Sequence, residues 1–328
     1  MICKNIPGTD LNPSSICLGA VLIGSSIDTK NSFLMLDSFV ESAGNFIDTA
    51  HIYSDWIKGK SLSEKTIGKW IKERGNRKEL IIGTKGGIRD GVIRLSRDEI
   101  IRDLNESLEY LGTGYIDLYW LHRDDPNRPV ADIIETLNEL EGKGKIRYFG
   151  CCNWKIERIR EAMVYASDNK LKCFVGNQVM WSLAVPNTNA IEDKTFVMMN
   201  KNGIGFHKKT LLAVMPYSSQ AQGFFTKMHK GIPLSDHIRK LYYSKENIKR
   251  FERVKKLAHD LSRSVTEISL GYLMSQPFTT IPIIGCRTLE QLAESLKAGD
   301  LALKPDMVKY LEEGKQYLIS SIYQSRSS

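Results

Sequence analysis

"LIIGTKGGIRDGVIRLSRDEIIRDLNESLEYLGTGYIDLYWLH", residues 80–122, carries two short apolar runs with one amphipathic stretch between them. The runs at 80–87 and 115–122 are nearly continuous in apolar residues rather than alternating, the pattern of strands covered on both faces. Between them, Ile100, Ile101, Leu104, Leu108 and Leu111 recur at three- and four-residue spacing and make one face of a helix, and Ser96 ahead of it is a capping residue. Strand, helix and second buried strand make one parallel crossover unit.

The unit repeats along the chain. Runs of the same kind stand at "SICLGAVLIG" (15–24), "NFIDTAHIY" (45–53), "IRYFGCCN" (146–153), "CFVGNQVMW" (173–181), "LLAVMPYSS" (211–219) and "TTIPIIGC" (279–286), with helical patterns between. One of these, "EKTIGKWIKERG", follows Ser63, which reads as a second cap. About eight such units in 328 residues predict an α/β fold, a (β/α)8 TIM barrel in one domain over 1–328. An open nucleotide-binding sheet fits less well, because no G-x-G-x-x-G follows the first strand and "GAVLIGSS" lacks the lysine of a phosphate loop. Residues 1–15, with a Pro7-Gly8 turn signal, are expected to form a hairpin closing the barrel bottom, and "SSIYQSRSS" (320–328) a loose tail.

Composition narrows the class of function. The excess of 46 Lys+Arg over 38 Asp+Glu gives a net charge of +8, but the bases are interspersed with acids, without the basic block of a nucleic-acid binder. The N-terminus lacks the charged-then-apolar run of a signal peptide and no window approaches a membrane span, so a soluble cytoplasmic protein is expected. The six cysteines, Cys3, Cys17, Cys151, Cys152, Cys173 and Cys286, form no C-x-x-C and have no paired histidines, which points to small buried residues and to no metal site.

In this barrel the C-terminal ends of the strands and the loops after them form the active site. Polar residues there are Asp48 and Tyr53 after the second strand, Lys85 at the end of the third, His122 at the end of the fourth, Asn153 after the fifth, and Asn177 and Gln178 in the sixth. A phenol is a poor acid at its ordinary value of about 10, but a nearby ammonium stabilises the phenolate and lowers it. Lys85 is expected to supply that charge, Asp48 to keep the lysine protonated and oriented, and His122 to donate a hydrogen bond to a substrate carbonyl. Such a site can reduce a carbonyl, with hydride arriving at carbon while Tyr53 protonates oxygen.

The stretches "FIDTAHIYS", "GTKGG", "LYWLH", "CCNW", "NQVMWSL", "PYSSQAQGFF" and "IIGCRTLEQLAES", in that order, resemble the aldo-keto reductase superfamily, from the bacterial and potassium-channel β-subunit-like branch. The resemblance implies a catalytic tetrad at Asp48, Tyr53, Lys85 and His122. It implies that Asn153 and Gln178 hold a nicotinamide carboxamide and that Trp181 stacks on the ring, although a large aromatic ending a strand is also ordinary core. Tyr217, Ser218, Gln220 and Gly223 match a loop that wraps the pyrophosphate, and Gly285, Arg287, Gln291 and Glu294 match the adenosine end. Arg287, a guanidinium fork suited to a 2′-phosphate, favours NADP(H), with NADPH preferred over NADH. Three positions depart from the family pattern: Ser295 stands for a usual Asn, Cys152 for a Ser, and Ser219 for a Pro.

Substrate choice falls to the loops. Trp56, in "DWIKGKSL", is a candidate wall of the substrate pocket, and the expected substrate is a small aldehyde or ketone, sugar-like ones included. Two other functions fit the same pattern: a cofactor-binding regulatory subunit of a channel- or transporter-like partner, and a Schiff-base aldolase with Lys85 as nucleophile. The number of chains in the working assembly is not written in the pattern.

Overall fold

The computed structural model describes residues 1–54 and 61–317; Trp56 and the tail at 320–328 lie outside the described residues. Ten strands are formed among them: β1 (Cys17–Gly19), β2 (Phe46–Asp48), β3 (Ile81–Gly86), β4 (Ile88–Arg89), β5 (Val92–Ile93), β6 (Ile116–Leu121), β7 (Ile146–Cys152), β8 (Gly176–Gln178), β9 (Ala213–Val214) and β10 (Ile283–Ile284). Eight are parallel neighbours in the order β10-β1-β2-β3-β6-β7-β8-β9, while β4 and β5 pair antiparallel as a small hairpin beyond β3. The sheet curls until its edges meet. Val214 N donates to Thr279 O at 2.9 Å, and the Ile281 and Ile283 amides donate to Val214 O and Pro216 O, each at 2.9 Å. No open sheet edge is left there, and the expected eightfold α/β barrel is the fold observed.

The helix in the opening stretch forms at Arg97–Leu111 for the reasons its sequence gives. Ser96 and Glu99 make a reciprocal capping box, Gly112 ends the helix at φ 61°, and Ile100, Leu104, Leu108 and Leu111 are buried. The second cap differs from expectation. Helix Leu62–Arg74 starts one residue before Ser63, whose hydroxyl is spent on Ala20 O at 2.7 Å and on Thr49 Oγ1 at 2.8 Å. Ser63 therefore pins the helix to the loops after β1 and β2, which a propensity argument does not see.

Apolar residues are sorted by the two-residue period of the strands. Leu118 and Trp120 point into the barrel with Cys17, Phe46, Ile81, Ala213, Met215, Ile281 and Ile283, while Tyr119 and Leu121 face the helices. Ile6 and Leu11 join the inner cluster from below. They belong to a fold-back of the first fifteen residues, held by Lys4 N to Pro13 O at 2.8 Å, Ser15 N to Ile2 O at 2.9 Å and a Cys3–Ser14 bridge.

Trp120 decides how high the inner core reaches. A Cβ on Gly150 would lie 2.4 Å from its ring, one on Gly176 3.1 Å, and one on Gly83 3.0 Å from its Nε1 and 3.3 Å from Asp48 Oδ1. Three neighbouring strands thus give up side chains so that one indole fills the barrel just below the polar mouth. No helix among the described residues is long and apolar enough to cross a membrane.

Candidate active site

The parallel register carries β2, β3 and the end of β6 to one level, with Asp48 opposite Gly83 and Lys85 opposite Trp120. Asp48 and Lys85 are each 2 % exposed and His122 is 8 % exposed. Lys85 Nζ donates to Asp48 Oδ2 at 2.5 Å, to Thr49 O at 2.7 Å and to Tyr53 Oη at 3.1 Å. An ammonium has three protons, so this set is complete. The Tyr53 and His122 rings meet edge to face with centroids 5.9 Å apart. All four residues of the expected tetrad are in one place, on Trp120 as a floor.

Burial weighs against the charged form of each group, and the neighbours decide how far. It disfavours the Lys85 ammonium, but the Asp48 carboxylate and the Tyr53 oxygen outweigh it, and the net direction is upward, so Lys85 stays charged. Burial raises Asp48, against the downward pull of Lys85 and of Gln178, whose Nε2 donates to Asp48 Oδ1 at 2.7 Å. His122 is pushed well below the usual imidazole range by burial and then by Lys85 and Arg123, and is neutral at physiological pH. For Tyr53 the expectation of a lowered value is overturned. Burial raises the phenol, Lys85 offsets only part of that, and the net direction is upward. The proton is held on Tyr53, with the Lys85 ammonium 3.1 Å from its oxygen.

Beyond the tetrad, Asn153 sits at φ 60° directly after β7, and its Oδ1 accepts from Val197 N at 3.0 Å and from Tyr217 Oη at 2.6 Å. Gln178 ends β8 facing inward, with its amide on Asp48 and its Oε1 buried without a partner among the described residues. Asn177, collected with it from the sequence, faces the other way: its Nδ2 donates to His207 Nε2 at 3.2 Å on helix Lys201–Thr210. Strand alternation sends neighbouring residues to opposite faces. Trp181 is 6 % exposed and packed on Phe278 and Tyr272, so the aromatic beside Asn153 is Tyr217.

The remaining candidates lie along one side of the mouth. Ser218 (φ 53°), Ala221 (φ 49°), Gln222 (φ 55°) and Gly223 (φ 77°) fold the loop after β9 through left-handed backbone. Gln220 Nε2 reaches across to Ser295 Oγ at 2.9 Å. Gly285 follows β10 and is exposed; Gln291 Oε1 accepts from Arg287 N at 2.9 Å near the start of helix Leu289–Leu296, and Arg287 itself is exposed. Glu294 accepts from Lys230 Nζ at 2.8 Å and from Thr266 Oγ1 at 2.7 Å, so its carboxylate is already committed within the chain.

Sequence reasoning missed the grip of Gln178 on Asp48 and the role of Arg123. That guanidinium, beside His122, donates to Thr195 Oγ1 at 2.8 Å and pairs with Asp193 at 3.3 Å. Its adjacency to His122 was the available signal. Cys152 is buried, with its thiol pushed up to about 12 by burial, which leaves it protonated and unreactive.

Comparison with known proteins agrees with this geometry. The model of the Aldo/keto reductase family matches residues 15–315. The chain is 29% identical over 315 residues to an uncharacterized oxidoreductase, YrpG, of Bacillus subtilis, covering 93% of each chain. It is 25% identical to the aryl-alcohol dehydrogenase [NADP(+)] of Phanerodontia chrysosporium (94% of this chain, 84% of that one) and 26% identical to norsolorinic acid reductase B of Dothistroma septosporum (93% and 79%). The solved structure of the thermostable aldo-keto reductase Tm1743 with the inhibitor epalrestat has the same fold, with a TM-score of 0.72 at 23% identity, covering 95% of this chain and 99% of that one. With a family match over nearly its whole length and the fold that goes with it, this chain belongs to the aldo/keto reductase family and is an oxidoreductase.

Proposed function

We propose that the protein is an NADPH-dependent cytoplasmic reductase of small aldehydes and ketones, with Tyr53 as the general acid. The observation that carries this reading is the position of Lys85 Nζ, bonded at once to Asp48 Oδ2 and to Tyr53 Oη. Tyr53 holds its proton at neutral pH and gives it up to a carbonyl oxygen gaining charge; Lys85, kept cationic by Asp48, stabilises the phenolate left behind. Neutral His122 has one N–H to donate to the same oxygen, which orients the carbonyl beside Tyr53.

The residues present fit a nicotinamide dinucleotide. Gln178 Oε1 is a buried acceptor without a donor among the described residues, which a carboxamide N–H would satisfy, and Asn153 and Tyr217 stand beside it. When bound, the reduced cofactor supplies the hydride. Ser218, Gln220 and Gly223 line the loop suited to its pyrophosphate, with Gly285, Arg287 and Gln291 at the adenosine end. Arg287 is exposed and, among the described residues, bonds only through its backbone N–H, leaving its guanidinium for a 2′-phosphate. The NADP(+) in the name of the Phanerodontia relative supports that preference, and that relative and the norsolorinic acid reductases support an aromatic carbonyl.

The test is NADPH oxidation with a panel of aromatic and sugar aldehydes by the wild type and by Tyr53→Phe. Turnover by the wild type, and a loss of roughly 10²- to 10⁴-fold in the variant with cofactor binding kept, is the expected result. Equal turnover by both would overturn the assignment of Tyr53, and tight NADPH binding without turnover on any carbonyl would favour a regulatory subunit.

A further inference from the structure

Tyr53 is carried by the loop after β2, and that loop is held in ways the chemistry alone does not require. Backbone bonds join Thr49 N to Gly83 O at 2.8 Å and His51 N to Lys85 O at 2.9 Å, which prolong the β2–β3 pairing. Ser61 Oγ donates to His51 O from the far side of the loop, and Ser54 Oγ donates to Val21 O at 3.4 Å. The His51 side chain, 4 % exposed, turns away from the mouth and meets Glu106 Oε2 at 2.8 Å. A carboxylate only accepts, so His51 Nε2 carries the proton. Arg89 Nη2 reaches the same oxygen at 2.5 Å, and lies 3.4 Å from buried Asp103. It is 3.5 Å from His51 Nε2, but both are donors, so the contact between them runs through Glu106.

Three elements meet at this point: the Tyr53 loop, the β4–β5 hairpin that extends the strand bearing Lys85, and helix Arg97–Leu111. The ring of Tyr110 stacks under His51 with centroids 6.1 Å apart, and Lys65 of helix Leu62–Arg74 caps that ring at 4.5 Å. The charged or titratable groups facing the brace include Glu106, Arg89, Asp103, Tyr110 and Lys65, with Arg102 3.6 Å from Asp103, Asp90 near Arg89, and Glu109 and Glu64 near Tyr110.

We propose that His51 is a positioning residue for the reduction, acting through Glu106 and Arg89 to hold the Tyr53 hydroxyl at bonding distance from Lys85. The inference rests on the reductase reading above. His51 touches neither substrate nor cofactor; it fixes two residues of backbone ahead of the acid. Loosening it lets the phenol leave the 3.1 Å contact with Lys85 while the Lys85–Asp48 pair stays in place.

Steady-state kinetics of His51→Leu and Glu106→Leu test this. Each variant is expected to lower kcat about 10- to 100-fold while NADPH affinity stays within about twofold, because a misplaced acid costs rate and leaves the cofactor cleft intact. The alkaline limb of kcat should move to higher pH, since the ammonium that pulls the phenol down is then farther away. His51→Gln, which keeps an N–H donor near the Nε2 position, should recover kcat to within about threefold, and the double variant should be no worse than either single one. Should His51→Leu fail to fold, Glu106→Leu at its half-buried position carries the same measurement. Unchanged kcat and pH profile would overturn the proposal, as would a loss of NADPH affinity equal to the loss of kcat. Tyr53→Phe, run in parallel, separates the two readings. If it is inactive while His51→Leu is normal, only the positioning role fails; if it keeps full turnover, the assignment of Tyr53 as the acid fails, and if the wild type turns over no carbonyl, the reductase reading itself fails.

Discussion

Lys85 is buried to 2 % and is stable there because each of its three protons has an acceptor, one of them a carboxylate. At the scale of residues the clustering of Asp48, Tyr53, Lys85 and His122 was legible, because these polar side chains interrupt or follow apolar runs at successive strand ends where a barrel core would take hydrophobic ones. Their electrostatic balance was not. That Tyr53 is raised overall follows from the desolvation of its half-buried ring at the barrel mouth, and that Gln178 bonds Asp48 across 130 positions follows from closure of the barrel. Trp181, read from the sequence as a ring that stacks on the nicotinamide, is buried against Phe278 and Tyr272, contacts between distant stretches that the sequence does not display. The cofactor end yields a prediction of its own. Arg287→Ala should raise the dissociation constant for NADPH about 10- to 100-fold, the worth of one lost charge-assisted bond, and leave NADH nearly unchanged. Equal weakening of both, measured by fluorescence titration, would mean that Arg287 does not read the 2′-phosphate.

Elements were legible to the extent that local pattern forms them. Helix Arg97–Leu111 has its cap, apolar stripe and terminating glycine in consecutive sequence, and it appears where they place it. Ser63 carries the same local signal but is taken by Ala20 and Thr49, partners brought near only by the barrel. The strand glycines belong with this second kind. Gly150 looks like a weak point in β7, and its reason is an indole on the adjacent strand. Gly150→Ala should therefore destabilise the fold by about 1–3 kcal/mol, since its Cβ would lie 2.4 Å from the Trp120 ring and 2.7 Å from Gly176 O, and strain there reaches the floor under Asp48. Urea denaturation of the variant checks this; a midpoint equal to wild type would contradict it.

For the whole molecule, counting strand–helix units was enough to expect a barrel, while its closure rests on a few bonds at and just after the two-residue strand β9 that no pattern announces. The outer layer is pinned by buried polar contacts with consequences for stability. His207 gives its Nδ1 proton to Leu212 O at 2.9 Å and accepts from Asn177, so it is held neutral, and burial pushes it down to about 4. In the unfolded chain the imidazole titrates near its ordinary value of about 6.5. Its contribution is then complete above about pH 6.5 and is lost as pH falls toward 4, roughly 3 kcal/mol in all. Denaturation at pH 7 and pH 4.5 should accordingly show wild type losing roughly 2–3 kcal/mol more than His207→Gln, and equal losses would contradict the account. The central claim, that this barrel moves hydride to a carbonyl while Tyr53 supplies the proton, is tested most directly by label transfer. The measurement is mass spectrometry of the alcohol formed from an aromatic aldehyde and NADPH deuterated at the transferred position, for wild type and Tyr53→Phe. The account predicts one deuterium on the carbinol carbon with wild type and at least about a hundredfold slower formation with the variant; an unlabelled alcohol, or equal rates, would contradict it.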